Sequence, residues 1–169
     1  MLEELTAGFP ILSCILFLPV VGAAVLWLFD EEDMVRTSAL TIALVELALS
    51  VFVLLRFVPE SAAMQFTERV QWIPGLGISY HLAVDGISVL FVGLTAFLTV
   101  LVVVYSWDTI RHQVKLYMMC LLALETTTMG VFVSLDLILF FVFWELMLIP
   151  SYFLIKLWGG GAERHYAAL

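Results

Sequence analysis

Three carboxylates interrupt long apolar stretches of this chain, and they are the residues best able to carry chemistry. Glu145 lies in a continuous apolar run, with Pro150 five residues after it. Glu125 and Glu46 each lie within a further apolar stretch. An ionisable side chain inside a bilayer costs about 2.5–3.5 kcal/mol on insertion scales, and such residues mark proton or ion pathways. Glu145 is therefore the first candidate for a proton-exchanging residue.

The spacing of the carboxylates predicts that all three lie near mid-membrane. Glu125 and Glu145 are each ten residues from Leu135, the midpoint of a very short connection. At 1.5 Å per residue, both are roughly 15 Å deep. Glu46, ten residues beyond Arg36, has a similar depth. Two adjacent carboxylates do not both ionise readily, but whether Glu125 and Glu145 face each other depends on helix rotation, which the sequence leaves open.

A polar stripe follows Glu145 along the same stretch. Tyr152 and Lys156 come seven and eleven residues later, which places both within about 20° of the same helix face. Pro150 cannot donate a hydrogen bond to the carbonyl of Leu146, so this carbonyl is free to bind water beside the acid. The pattern predicts a polar path from the mid-membrane carboxylate to the membrane surface.

Each of these residues also has a structural alternative. A buried glutamate in its neutral form can serve as a hydrogen-bond donor within a bundle, and this alternative stays open for all three acids. Lys156 can simply anchor its helix at the interface. We rank Glu145 first, Glu125 second as a proton relay, and Glu46 last. Asp85 precedes an apolar stretch and is expected to cap the helix there.

The composition indicates an integral membrane protein. The chain is 63% hydrophobic and 13% charged, with a mean hydropathy of +1.10, far from the balance of soluble domains. Its 169 residues are used up by five or six spans of about 20 residues. A net charge of −8 argues against nucleic acid as a partner. Cys14 and Cys120 lie alone in apolar stretches, so we expect neither a disulfide nor a metal site.

The apolar runs predict an all-α integral membrane fold with one membrane domain over residues 1–169. The five predicted transmembrane helices cover about 9–29, 38–58, 86–107, 116–134 and 137–158. The first span lacks the positive charge that precedes a signal sequence, so we expect it to remain in the mature protein. Between the second and third spans, residues 66–83 alternate in polarity around a Pro-Gly-Leu-Gly turn. This predicts a short extracytoplasmic β-hairpin, with an irregular loop as the alternative.

Lysine and arginine counts predict the orientation. One side of the membrane would hold five basic residues, namely Arg36, Arg111, Lys115, Lys156 and Arg164. The other side would hold Arg56 and Arg69. The positive-inside rule then predicts that the N-terminus is outside and the C-terminus is cytoplasmic.

Four segments resemble the antiporter-like subunits of respiratory complex I, specifically the subunit M type, called chain 4 in mitochondria and the D type in the photosynthetic version. They are HLAVDGIS at 81–88, VFVSLD at 131–136, FWELMLIP at 143–150 and LWGG at 157–160. The resemblance covers essentially the whole chain. It implies that Glu145 is the fifth-helix glutamate of proton translocation. It also implies that these are the first five helices of a 14-helix subunit of roughly three times this length, whose cationic lysines lie on later helices.

The resemblance implies a membrane-arm subunit of NADH:quinone oxidoreductase that contributes to redox-coupled proton translocation. Its partners would be other membrane-arm subunits, above all neighbouring antiporter-like ones, in a bacterial plasma membrane. No flavin, iron–sulfur or quinone motif occurs in this sequence, so we expect NADH, FMN, iron–sulfur clusters and quinone in partner subunits. The alternative is a multi-subunit Na⁺/H⁺ antiporter without a redox step, which shares the buried glutamate. Partner subunits found on purification would separate the two.

Overall fold

The computed structural model describes residues 9–160, most of which lie in five α-helices. The helices are α1 Ile11–Leu26, α2 Glu32–Arg56, α3 Ser88–Thr109, α4 Val114–Val133 and α5 Leu137–Trp158. Four of them are long and apolar enough to cross a membrane, and α1 is a shorter apolar helix of 16 residues. The chain is thus a mostly helical, multi-pass membrane protein, while the exact membrane boundaries stay predictions.

Helix α4 is the centre of the bundle. It packs against each of the other four helices, and 56% of its most apolar window is buried, against 17% for α5. Helix α5 has α4 as its main helical partner, so most of its circumference is open. The fold therefore separates an enclosed interior between α2, α3 and α4 from an exposed outer face on α5.

The rotation of α5 is set by a close crossing with α4. A Cβ atom added at Gly130 would lie 2.2 Å from the ring of Phe143, so the missing side chain makes room for the aromatic ring. Near this crossing, the Thr128 hydroxyl contacts the sulfur of Met147 at 3.7 Å. The buried residues of α5 are Leu139, Phe143 and Pro150. These residues define the face of α5 that points into the bundle.

Helix α2 begins at Glu32, six residues before the start of the span predicted at Ser38. Glu32 and Asp33 lie in its first turn, where carboxylates interact favourably with the helix dipole. Arg36 pairs with both, each at 3.4 Å, and donates to the Ile110 carbonyl at 3.0 Å. The acidic cluster after α1 is therefore partly helical and is tied to the end of α3.

The predicted hairpin is confirmed as a two-stranded antiparallel sheet of β1 Gln65–Ile73 and β2 Ile78–Val84. A 3₁₀ turn and Gly77, at a left-handed φ of 70°, join the strands. The pairing is irregular between Gln65 and Glu68, where Phe66 has a φ of 54°. The register is regular again where Glu68 pairs with Leu82. The simple alternation expected from the sequence is thus broken near its start.

The hairpin caps the first helix through Glu68. Its carboxylate accepts hydrogen bonds from the backbone N–H groups of Leu12 at 2.7 Å and Ser13 at 3.1 Å. The Ser13 hydroxyl also bonds to Glu68, and it lies 2.7 Å from the Tyr80 hydroxyl. Burial raises the pKa of the Tyr80 phenol. A carboxylate on the hairpin thus satisfies the N–H groups that open α1.

At the same end of the bundle, two aspartates accept hydrogen bonds from N–H groups at the starts of α3 and α5. Asp136 accepts from the Ser79 N–H at 2.8 Å and from the Ile138 N–H at 3.0 Å, at the start of α5. These bonds, led by that of Ser79, lower the pKa of Asp136. Asp85 accepts from the Ser88 N–H at 2.7 Å, the capping role expected of it, and this bond lowers the pKa of Asp85. We call this end of the bundle the hairpin end.

Candidate functional site

Glu145 lies on the exposed face of α5 within the described part of the chain. Phe143 points toward α4, and two residues of α-helix turn the side chain by about 200°. The carboxylate of Glu145 therefore points away from α4. Among residues 9–160 it makes no hydrogen bond or ion pair. The structure does not bring Glu145 and Glu125 together, which settles the helix rotation that the sequence left open.

The packing of α4 on α5 also bears on how Glu125 and Glu145 align along the bundle. The contacts of Thr128 with Met147, and of Gly130 with Phe143, fix how the antiparallel helices α4 and α5 align. Position 125 then lies about one turn, or roughly 6 Å, from the level of Glu145 along the bundle. The two residues are thus offset along the bundle rather than directly level, and the depth of each in the membrane stays a prediction.

The polar stripe after Glu145 remains on one side of an unbroken helix. Lys156 donates to the Tyr152 hydroxyl at 2.5 Å, and its ammonium lies 4.8 Å from the centre of the same ring. Tyr152 and Lys156 are partly buried, whereas Glu145 is exposed. We call Glu145, Tyr152 and Lys156 the outer stripe. It offers a carboxylate, a phenol and an ammonium along the open side of α5.

Glu46 and Glu125 lie in the enclosed interior instead. Their side chains are 0% and 2% exposed. Glu46 is the middle of the buried stripe of α2, which consists of Val35, Ala39, Ala43, Glu46, Ser50 and Val53. Helices α2 and α4 are in contact, and the two carboxyls are close enough to interact electrostatically. We call Glu46 and Glu125 the carboxyl pair.

The carboxyl pair is short of hydrogen bonds. Within the described residues, none of its four oxygens has a hydrogen-bond partner, and the buried hydroxyls of Ser50 and Thr126 have none either. Most buried polar groups in proteins are satisfied, so such a cluster calls for an explanation. Sequence reasoning named both acids but missed their pairing. The signal in the sequence was Ser50, which lies one turn after Glu46 and indicates a polar position on the same helix face.

The described residues contain no group of three or more His, Cys, Asp or Glu side chains that could hold a metal ion. Cys14 is partly exposed and Cys120 is buried, and both are free thiols. The groups that these candidate residues offer are carboxyls, hydroxyls and the ammonium of Lys156. They are concentrated in two places, the outer stripe and the carboxyl pair.

Comparison with known proteins gives this arrangement a context. Residues 134–169 match a family described as NADH:quinone oxidoreductase/Mrp antiporter, transmembrane. The chain is 36% identical over 167 residues to NADH-quinone oxidoreductase subunit M of Rickettsia felis, covering 95% of this chain and 34% of that protein. It is 43% identical over 164 residues to the subunit M of Rhodobacter capsulatus, covering 94% and 31%.

A solved structure shares the fold. Respiratory complex I from Thermus thermophilus with bound NADH contains a chain that matches with a TM-score of 0.76 and 26% identity, over 93% of this chain and 31% of that one. The chain spans about a third of the length of the curated relatives it matches. The resemblance seen in the sequence is confirmed: over nearly its whole length, this chain is similar to part of the proteins named NADH-quinone oxidoreductase subunit M and to a chain of respiratory complex I.

Proposed function

We propose that this chain is part of a membrane-arm subunit of an NADH:quinone oxidoreductase and that Glu145 exchanges protons during redox-coupled translocation. The observation that carries the proposal is a carboxylate on the open face of an apolar, membrane-length helix, in line with Tyr152 and Lys156. Such a residue is expensive in lipid and is retained where it serves transport. The likeness to proteins named as subunit M supports the same conclusion.

The outer stripe needs a covering partner. Glu145 has no charged partner among residues 9–160, and an uncompensated carboxylate would not remain ionised against lipid. We propose that further membrane helices cover α5, from the rest of a longer subunit or from neighbouring antiporter-like subunits. A lysine on such a helix would hold Glu145 ionised when its charge is near, and Glu145 would take up a proton when that charge moves off.

Lys156 and Tyr152 have a supporting role in this proposal. Their direct hydrogen bond extends the outer stripe toward the end of α5, where a proton could pass between Glu145 and the aqueous side through bound water. Redox chemistry takes place elsewhere. NADH, FMN, iron–sulfur clusters and quinone belong to partner subunits, and this chain supplies part of the proton path.

We further propose a bacterial plasma-membrane location with the hairpin outside. The end of the bundle away from the hairpin carries Arg36, Arg111, Lys115 and Lys156, while the hairpin end carries Arg56 and Arg69. This asymmetry favours a cytoplasmic location for the first group. Arg164, which the sequence places in the same cytoplasmic group, lies outside the described residues.

A cysteine-labelling experiment tests this orientation. Gly75 lies in the hairpin turn with open space around it, and Glu31 is exposed just before α2. In a variant lacking Cys14 and Cys120, Gly75→Cys should react with an impermeant thiol reagent from outside the cell, and Glu31→Cys should react only after the membrane is opened. The reverse pattern would overturn the orientation.

A second candidate is a multi-subunit cation/proton antiporter without electron transfer. The observation that favours it is the family description, which covers Mrp antiporters as well as NADH:quinone oxidoreductases. The two are separated by what copurifies with the protein. Subunits that carry flavin and iron–sulfur clusters support the oxidoreductase, whereas their absence from an active transport complex supports the antiporter.

Substitution of Glu145 tests the proposed proton exchange. In the assembled complex in sealed vesicles, Glu145→Gln should remove most proton translocation, because an amide cannot exchange the proton. Glu145→Asp keeps an acid and should retain part of it. Assembly should survive both changes, since the side chain is exposed on α5 and makes no hydrogen bond or ion pair within the described bundle. Normal translocation by Glu145→Gln would exclude the proposed role.

A further inference from the structure

We propose that Glu46 and Glu125 form a single proton-binding site inside the bundle, distinct from Glu145. The two carboxyls lie on helices α2 and α4, which pack against each other, and both are buried and close enough to interact electrostatically. This inference goes beyond the role of Glu145, since it concerns other side chains on other helices. It stands whether the whole complex is an oxidoreductase or an antiporter.

The first step in the argument is charge. Two ionised carboxylates side by side in an apolar interior repel each other and have lost their hydration. A cation could compensate them, but none lies nearby among residues 9–160. Helix α1 has no charged residue, and the other charged groups of α2, α3 and α4 lie at or near helix ends. The charged residues of α5, Glu145 and Lys156, lie on the side of that helix that faces outward. Protons are therefore the natural counter-charge.

The second step is hydrogen bonding. A carboxylate only accepts hydrogen bonds, whereas a carboxylic acid also donates one. The neighbouring hydroxyl of Thr99 on α3 lies beside Glu125, but it already donates to the Thr95 carbonyl at 3.1 Å. It can therefore still accept a bond from a protonated Glu125. The hydroxyls of Ser50, one turn from Glu46, and of Thr126, next to Glu125, are buried without a partner among the described residues and could also hydrogen-bond to the acids.

The third step distinguishes a proton from a metal cation. Helices α2 and α4 run unbroken through Glu46 and Glu125, so the backbone carbonyls there are engaged in helical hydrogen bonds. Cation sites within membranes draw on unwound backbone carbonyls. This pair offers carboxyl and hydroxyl oxygens alone. It suits a proton shared by two buried acids on packed helices, and acids that interact in this way would titrate as a coupled unit.

Infrared difference spectroscopy on the assembled complex tests the proposal. Protonated carboxyls absorb in a region separate from carboxylates, so a pH step should reveal a band from the pair. Glu46→Gln and Glu125→Gln should each remove or shift this band, and the double variant should lose no more proton release than either single variant. Glu32→Gln, which changes an exposed acid on the same helix α2, should leave the band unchanged.

Two results would overturn the inference. If each single substitution removed a separate band, and the losses in proton release added up in the double variant, the acids would be independent sites. If the band depended on Na⁺ concentration at constant pH, the pair would bind a metal cation. Should a Gln variant fail to assemble, the single variants Glu46→Asp and Glu125→Asp would replace it, since each keeps both acids. The proposal then requires the same infrared band to shift in each of these variants.

Discussion

The hairpin end and the middle of the bundle use the same residue types in opposite ways. At the hairpin end, Glu68 and Asp136 each accept several hydrogen bonds and cap the starts of α1 and α5. In the middle, none of the oxygens of Glu46 and Glu125 has a partner among the described residues. On the account proposed above, acids with partners hold the structure together, and acids without them are available for proton exchange. The number of hydrogen bonds is then what would distinguish structural from functional carboxyls here.

The largest expected stability effect lies at the α4–α5 crossing. Gly130→Ala would place a methyl group within the ring of Phe143, and overpacking of this kind costs about 1–3 kcal/mol. We expect a clear fall in the thermal midpoint of the purified complex. Gly22→Ala is the matched control: the three atoms nearest to its added Cβ all belong to the side chain of Ile42, and the closest is the terminal methyl at 2.6 Å, which can shift. An equal loss in both variants would contradict the assigned crossing.

The hairpin end should be sensitive to acid. Hydrogen bonds lower the pKa of Asp136 in the folded state, so its contribution to stability is complete above the ordinary carboxyl pKa of the unfolded chain. That contribution is lost as the pH falls through the lowered folded-state value. Hydrogen exchange at the Ser79 and Ile138 amides should accelerate over this window. In Asp136→Asn the pH dependence should be absent; an unchanged profile would exclude the aspartate as its cause.

The carboxyl pair should contribute little stability. Replacing both members of an unsatisfied buried polar pair by apolar residues of similar size is nearly neutral or stabilising. The double variant Glu46→Met with Glu125→Met should therefore unfold at the same temperature as the parent or slightly higher, measured as the thermal midpoint of the purified complex. A marked loss of stability would mean that the pair is held by structural hydrogen bonds, like the acids of the hairpin end.

The sequence predicted the helices and the hairpin because their signals are local. Apolar runs of membrane length and alternation around Pro74 and Gly77 need no knowledge of the neighbours. Helix rotation is different, since a helix that is apolar on every side carries no amphipathic stripe to orient it. The outward position of Glu145 follows from Gly130 admitting Phe143, a steric fit between two helices that neither helix encodes alone.

The candidate residues were thus predictable individually but not as sites. Glu125 was ranked above Glu46 because it was expected to lie level with Glu145 on an adjacent helix. The structure instead places Glu125 with Glu46 in the interior, so the reason for that ranking does not hold. We now expect the two acids to act together. Their effects on activity stay a prediction.

The most direct test compares one acid of each kind in the same vesicles. Protons translocated per electron pair would be measured for Glu145→Gln and for Glu68→Gln, together with the thermal midpoint of each complex. We predict that Glu145→Gln loses most translocation with an unchanged midpoint. Glu68→Gln should keep translocation but have a lower thermal midpoint, because a weakened helix cap costs about 1 kcal/mol of stability. Normal translocation in Glu145→Gln, or its loss in a fully stable Glu68→Gln, would contradict the division between structural and proton-exchanging acids.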